Sequence, residues 1–275
     1  MKQRQLSSKQ ISSFQHLIYK YYNKHRRDFP WRDTDNPYHI LVSEIMLQQT
    51  QIERVIEKYN LFLSKFPDVA SLAKATLKEV LEVWQGLGYN RRAISLLKLA
   101  SIIVSDYQGK LPADGEELLK LPGIGRATAG CLLAFAFHKP SVLIETNIRR
   151  VFIHHFFQDR EDVHDNEIMP LVETTLDKSN PRDWYYALMD YGSQLKKEIE
   201  NPNKKSAHYT RQAPFEGSDR KIRGAILRSF IKKTSMTEED IITAIGTEKK
   251  RTKKIMSALV KEGFIVKTGK TFRIA

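Results

Sequence analysis

Cysteine is almost missing from this chain: there is one, Cys131, in 275 residues. A lone cysteine excludes an intrachain disulfide and any cysteine-rich metal or iron–sulfur site. It lies in the apolar run Cys131-Leu132-Leu133-Ala134-Phe135 and reads as a small buried residue. No apolar run is long enough to span a membrane. Met1–Gln10 is polar and basic without an apolar centre, so no signal peptide is expected. Internal repeats and low-complexity segments are also absent. A soluble chain in the cytoplasm is expected, nucleoid-associated in a prokaryote. Acidic residues are the scarcer sign, 32 against 45 Lys and Arg, which leaves a net charge of +13. That balance favours a polyanionic partner. Residues 219–275 hold 15 Lys/Arg and six Asp/Glu, so the tail is the most basic part.

What is present is mostly helical periodicity. Ile11, Phe14, Leu17, Ile18, Tyr21 and Tyr22 recur at helical spacing over residues 9–25. Further helices are expected from Pro37, over 51–64, from Leu72 to Trp84, and from Arg91 to Tyr107. Arg91 and Arg92 oppose the dipole at the start of the last of these. They read as a phosphate contact or as two solvated cations.

The stretch Leu121-Pro122-Gly123-Ile124-Gly125-Arg126-Ala127-Thr128-Ala129-Gly130 joins two amphipathic runs, and the whole of 116–137 reads as a helix-hairpin-helix. Two glycines two apart permit positive φ and close approach of a backbone. Amides at a helix start suit a phosphate oxygen. Gly123, Gly125, Arg126 and Thr128 are the candidate contacts, against the plainer reading of an ordinary helix–helix turn.

Two glutamates stand out. Glu44 lies in Ile40-Leu41-Val42-Ser43-Glu44-Ile45-Met46-Leu47, apolar on nearly every side. Burial raises a carboxyl pKa and lets it hold a proton near neutrality, as a general acid must. Gln48-Gln49-Thr50 then breaks the apolar pattern. Glu145 follows the short extended piece Val142-Leu143-Ile144 and precedes a helix capped by Thr146 or Asn147. The helix dipole there is expected to keep it ionised. One protonatable acid with one anion is the pattern for cleaving a bond through an oxocarbenium-like state. Beside a DNA-gripping hairpin, that bond is the base–sugar bond. Surface pairing for Glu44 and simple capping for Glu145 are the alternatives.

From Phe29 to Gly192 these motifs resemble the helix-hairpin-helix DNA glycosylase superfamily, most closely MutY-type adenine glycosylases. Pro30-Trp31-Arg32, Ser43 to Thr50, Trp84-Gln85-Gly86-Leu87-Gly88-Tyr89, the hairpin, and Met189-Asp190-Tyr191-Gly192 carry the resemblance. It implies an all-α fold of two helical lobes with the active site in the cleft between them. Residues 33–138 would make one lobe, with 1–32 and 139–215 making the other. It also implies that Glu44 protonates the leaving base and that Glu145 stands where the family has aspartate. Trp31, Arg32 and Asp190 would wall the flipped-base pocket. Gln48 and Gln49 would fill the space left in the duplex, and Tyr89 would wedge beside the opposing base. Asn147 joins the DNA-contacting set. Lyases of the superfamily carry a lysine after the hairpin arginine, where this chain has Ala127, so a monofunctional enzyme is expected. Lys196, Asn203 and Ser206 stand about where the family often has cluster cysteines, so no iron–sulfur cluster is expected. The hairpin leaves room for a monovalent cation. No 8-oxoguanine-reading domain of the MutY type is expected.

Residues 195–218 read as a linker. Ser218 caps a helix carrying Ile222, Ile226 and Phe230; Thr237-Glu238-Glu239-Asp240 resembles a capping box. A basic-fronted helix with Lys249, Lys250, Arg251 and Lys253 follows, then a hairpin at 264–274. Residues 219–275 thus look like an α+β winged-helix domain whose basic helix faces DNA, or a protein-interaction module with a solvated basic face. The expected function is a glycosylase for a mismatched base in double-stranded DNA, acting as a monomer. Adenine opposite 8-oxoguanine or G is the first choice. Thymine or uracil opposite G, and a catalytically silent damage-binding protein, are the alternatives.

Overall fold

In a computed structural model the described residues are 5–211 and 214–275, and they form fourteen α-helices and three strands. In chain order the helices are α1 (Ser8–His25), α2 (Pro37–Leu47), α3 (Ile52–Lys65), α4 (Val69–Ala73), α5 (Leu77–Trp84), α6 (Arg91–Asp106) and α7 (Gly115–Lys120). Then come α8 (Arg126–Phe137), α9 (Thr146–Phe156), α10 (Asp165–Thr175), α11 (Pro181–Glu198), α12 (Asp219–Lys232), α13 (Glu238–Ile245) and α14 (Lys249–Lys261). The strands are β1 (Met236–Thr237), β2 (Ile265–Thr268) and β3 (Thr271–Ile274). The chain divides into two compact units. One comprises Met1–Glu44, Pro112–Lys120 and Ile124–Arg211; the other comprises Ile45–Leu111, Leu121–Gly123 and Gln212–Ala275.

The first unit is built on α1, α9 and α11. Ser7 and Gln10 form a capping box at the start of α1, and Phe14, Ile18 and Tyr22, four apart, are its buried stripe. Phe14 meets Phe152 of α9 edge-on at 5.5 Å between centroids and Trp184 of α11 at 6.0 Å. Backbone approach is closest at Gly192 of α11. A Cβ there would lie 2.4 Å from the Asn147 carbonyl oxygen, so only glycine lets α11 meet the start of α9. Gly130 of α8 does the same for Leu143, whose Cβ would be 2.7 Å from the added carbon. Val142-Leu143-Ile144 belongs to no helix or strand.

In the second unit the expected helix from Leu72 to Trp84 is two helices. Thr76 breaks it, capping α5 in a box with Glu79. Its core includes Val55, Phe62, Leu72, Trp84 and Leu96. Arg92, at the start of α6, is buried, and its two terminal nitrogens donate to the carbonyls of Ile45, Met46, Gln48, Leu87 and Gly88 and to Thr50 Oγ1. Arg91 pairs with Glu262 at 2.7 Å. Arg92 is therefore no solvated cation and staples the end of α2 to the Gln48–Thr50 and Leu87–Gly88 turns, while Arg91 remains largely exposed beside its Glu262 partner.

The C-terminal residues belong to this same unit and have the expected parts. Ser218 caps α12, the Thr237–Asp240 capping box opens α13, and β2 and β3 form an antiparallel hairpin. The sheet order is β1-β3-β2, with β1 an additional edge strand paired to β3. Ile222, Ile226, Phe230, Ile241, Leu259 and Phe264 make its core.

Candidate active site

Glu44 sits on α2 among buried Ile40, Leu41, Val42, Ile45 and Met46. Its carboxyl accepts a hydrogen bond from the Cys131 thiol of α8. Burial pushes the Glu44 pKa up to about 7. The nearby Glu145 charge adds to the rise; the Cys131 bond and the Arg32 charge oppose it. Arg32 lies flat over Tyr186, 4.3 Å from the ring centroid, and Tyr186 stacks on Phe135 of α8 at 4.2 Å. Glu44 is thus a carboxyl half-protonated near neutrality inside an aromatic and apolar wall.

Glu145 is itself the N-cap of α9, one or two residues earlier than the Thr146 or Asn147 expected from the sequence. Its Oε1 accepts from the amides of Asn147 at 2.7 Å and Ile148 at 2.8 Å, and its Oε2 from Asn147 Nδ2 at 3.3 Å. One carboxylate oxygen reaches both amides from an extended backbone, φ −126° and ψ 178°. These donors and Arg150 favour the anion, but burial outweighs them and the pKa is raised. The expectation that the helix terminus alone would keep Glu145 low is corrected accordingly: its donors are those of a helix start, but desolvation of the half-buried carboxyl outweighs them.

A chain of hydrogen bonds fixes this carboxylate. Arg150, buried, donates to Asn147 Oδ1 at 2.7 Å, to the Gly192 carbonyl at 2.6 Å and to Asn201 Oδ1 at 3.0 Å. Asn147 is therefore committed to Glu145 and Arg150. Asn203 Nδ2 donates to the Thr146 carbonyl at 2.9 Å, and Ser206 bridges to Val163. With Lys196, Asn203 and Ser206 as its donors, this region does not fit an iron–sulfur cluster, which needs thiolates.

Trp31, Arg32 and Asp190 come together, but their bonds are internal. Asp190 is buried, and both its oxygens are taken: Oδ1 by Arg27 Nε at 2.7 Å and Arg32 Nη2 at 2.8 Å, Oδ2 by the Arg27 amide at 3.0 Å and Arg32 Nη1 at 2.8 Å. Those contacts hold its pKa down. Trp31 is buried and stacks on Phe29 at 5.1 Å.

In the hairpin, Gly123 has φ +87°, and a Cβ would lie 2.9 Å from that of Ser95, so the turn itself requires glycine. Gly125 differs. It caps α8 with φ −99°, and a Cβ there would meet nothing within 4 Å. Arg126 is exposed and Thr128 buried. Gln48, Gln49 and Tyr89 line one cavity in the second unit; Gln49 and Tyr89 hold left-handed backbones, φ +56° and +46°. On α14, Lys249 pairs with Glu239 at 2.9 Å, Arg251 with Asp219 at 2.6 Å, and Lys253 with Glu238. Lys250 is exposed. Three of the four cations assigned to a DNA-facing helix thus have acids of their own unit beside them.

Sequence reasoning missed Cys131 as a partner of Glu44, Tyr186 as the aromatic over Arg32, and Arg150 as the holder of Asn147. Only the burial of Cys131 was signalled, by its apolar run.

Residues 42–176 match the model of the HhH-GPD superfamily of base excision DNA repair proteins, and the chain belongs to that family. It is similar to the adenine DNA glycosylase of Buchnera aphidicola subsp. Baizongia pistaciae, 35% identical over 186 residues, 66% of this chain and 52% of that one. It is also similar to a thymine/uracil-DNA glycosylase of Methanothermobacter thermautotrophicus, 32% identical over 68% of this chain and 86% of that one. The structure of a thermostable thymine-DNA glycosylase superposes with a TM-score of 0.64 and 29% identity over 72% of this chain and 92% of the other. The chain spans about half the length of the curated adenine glycosylases it matches first. Among the described residues no helix is long and apolar enough to cross a membrane.

Proposed function

We propose that this protein is a monofunctional DNA N-glycosylase that removes a mismatched base, with adenine as the first choice. The observation that carries the reading is the Glu44 carboxyl, raised to about 7 by burial, beside a second carboxyl tied to a helix start. The target base must leave the stack to be reached. Glu44 then gives its proton to the departing base as the bond from C1′ to nitrogen breaks and its electron pair leaves with the base. Glu145, as the anion, stabilises the positive charge left on the sugar. A water adds to C1′ and yields an abasic site, its proton passing to a carboxylate or to solvent. Ala127, following the hairpin arginine, offers no amine for a Schiff base, so strand cleavage is not part of the reaction. No metal or cluster takes part in this reading, and the protein works on DNA in the cytoplasm as a monomer.

Residues 219–275 form, in this reading, a domain that reinforces the hold on the duplex. A second reading, thymine or uracil opposite G, is favoured by the likeness to the thymine/uracil glycosylase, which this chain covers more fully than the adenine enzymes. An excision panel separates them: A opposite 8-oxoguanine, G and C, and T or U opposite G, with alkali added afterwards. Cleavage at adenine only after alkali supports the first reading. Cleavage at T or U transfers the site to the second. Strand cleavage before alkali would contradict the monofunctional assignment.

A further inference from the structure

We infer that the outward row of α14, Lys250, Lys254 and Lys261, is a second contact with duplex DNA, made to the phosphate backbone and blind to the base being removed. This rests on the glycosylase reading and deepens it, by naming which face of residues 219–275 holds the duplex.

From Lys249 to Lys261 the helix holds six cations and no acid. Thr252, Ile255, Met256 and Leu259 are its buried stripe. At 3.6 residues per turn, that stripe decides where each cation points. Lys249 and Lys253 fall on one flank and Arg251 on the other. All three meet acids of α13 or α12: Lys249 pairs with Glu239 at 2.9 Å, Lys253 with Glu238, and Arg251 with Asp219 at 2.6 Å. Lys250, Lys254, Ser257 and Lys261 recur four, three and four apart, so they form one row opposite the buried stripe. All four are exposed, and the three lysines have no carboxylate partner among the described residues.

The row does not help the helix that carries it. Lys250 stands in the first turn, where the dipole disfavours a cation. Lys250 and Lys254 are like charges four apart, a spacing that weakens a helix. The flanking cations are compensated from within the unit and the row is not. A polyanion supplies the missing charge.

Duplex DNA fits the row in length and in chemistry. From Lys250 to Lys261 the axis advances ~16 Å at ~1.5 Å per residue. A strand carries one phosphate per ~3.4 Å of duplex axis, so the row passes several. Lysines are point charges on flexible stems, and the row holds no arginine, asparagine or glutamine fork of the kind that reads a base edge. Such a contact positions the duplex and carries no information about sequence or lesion. The row also has a fixed place in its unit. Glu262 pairs with both Arg91 and Arg223, which sets Lys261 beside the start of α6, and Lys254 and Lys250 lead away from there along α14.

The test uses the full chain with all three lysines changed to glutamine. The duplexes share one sequence, with and without a tetrahydrofuran abasic analogue. Outward lysines contribute no packing, so the variant is expected to melt like the native protein. It is expected to bind both duplexes about tenfold or more weakly and by the same factor, with the slope of log affinity against log salt lower by about 2.7, roughly 0.9 for each lost phosphate contact. Single-turnover excision at saturating protein is expected to keep the native rate. Arginine at all three positions preserves the charge and is expected to preserve affinity and slope. A glutamine variant with native affinity and slope would overturn the inference; if that variant also lost binding to a polyglutamate peptide, the row would belong to an acidic protein surface. A loss confined to the abasic duplex would overturn it too, since the row would then read the lesion. No excision of any base, with these effects on binding present, would sink the glycosylase reading alone; excision intact with binding unmoved would sink the row alone.

Discussion

The Cys131 thiol hydrogen-bonds to the Glu44 carboxyl; the thiol is buried and the glutamate half-buried. A thiol donor stabilises the carboxylate, so it opposes the rise that burial imposes. Cys131→Ala removes the donor and is expected to move the alkaline limb of the excision rate to higher pH. Cys131→Ser, a stronger donor, is expected to move it lower. Single-turnover rates between pH 5 and 9 measure both, and a limb that stays in place in both variants would contradict the contact's role.

Arg92 serves seven acceptors, at the end of α2 and in the turns 48–50 and 87–89, and a methyl group serves none of them. Arg92→Ala leaves buried carbonyls without partners, each worth ~1–3 kcal/mol when water cannot reach it. A loss of about 3 kcal/mol or more is expected, together with weaker DNA binding as the Gln48–Thr50 loop loosens. Lysine offers one nitrogen for a fork that uses two and is expected to rescue little. Urea unfolding gives the number; a variant within 0.5 kcal/mol of native, of the order of an ordinary surface change, would refute it.

Gly192 admits the Asn147 backbone to 2.4 Å of where a Cβ would stand. Gly192→Ala must push α11 from α9, at a cost of ~1–3 kcal/mol for overpacking. Because Asn147 carries two of the donors to Glu145, excision is expected to fall by more than stability alone explains, on the order of 10²-fold for an ~1 Å displacement. Comparing the folded fraction with the single-turnover rate separates these effects.

The elements were largely legible in the sequence because their causes are local. The four-residue spacing of Phe14, Ile18 and Tyr22, the capping boxes at Thr76 and Thr237, and the Gly123 turn act within a few residues. Thr76 was nonetheless passed over, since Leu72 and Leu77 continue an apolar pattern across it. The raised pKa of Glu44 was legible because its own helix is apolar on nearly every side. What could not be read was long-range. Arg92 finds its acceptors 42 to 47 positions away as well as nearby. Cys131 meets a carboxyl from another helix. Composition likewise does not reveal that Glu238, Glu239 and Asp219 lie beside the cations at the basic front of α14. Glu145 was placed correctly beside a helix start, but the desolvation of its carboxyl comes from tertiary packing.

The central claim is that Glu44 supplies the proton. Its pKa in the folded protein, about 7, is above the ordinary 4.5. The folded state therefore holds this proton more tightly than the unfolded chain. The stability that this proton contributes is full below about pH 4.5 and is lost as pH rises through about 7. Glu44→Gln, which cannot ionise, is expected to be more stable than native at pH 8 and to lose that advantage at low pH. The most direct measurement is single-turnover excision by the native protein and Glu44→Gln on adenine opposite 8-oxoguanine or G, from pH 5 to 9, with duplex affinity measured alongside. The account predicts a native rate that falls tenfold per pH unit above about 7, and a collapse of at least 10²-fold in Glu44→Gln with affinity kept. A Glu44→Gln protein that excises adenine at the native rate would contradict it.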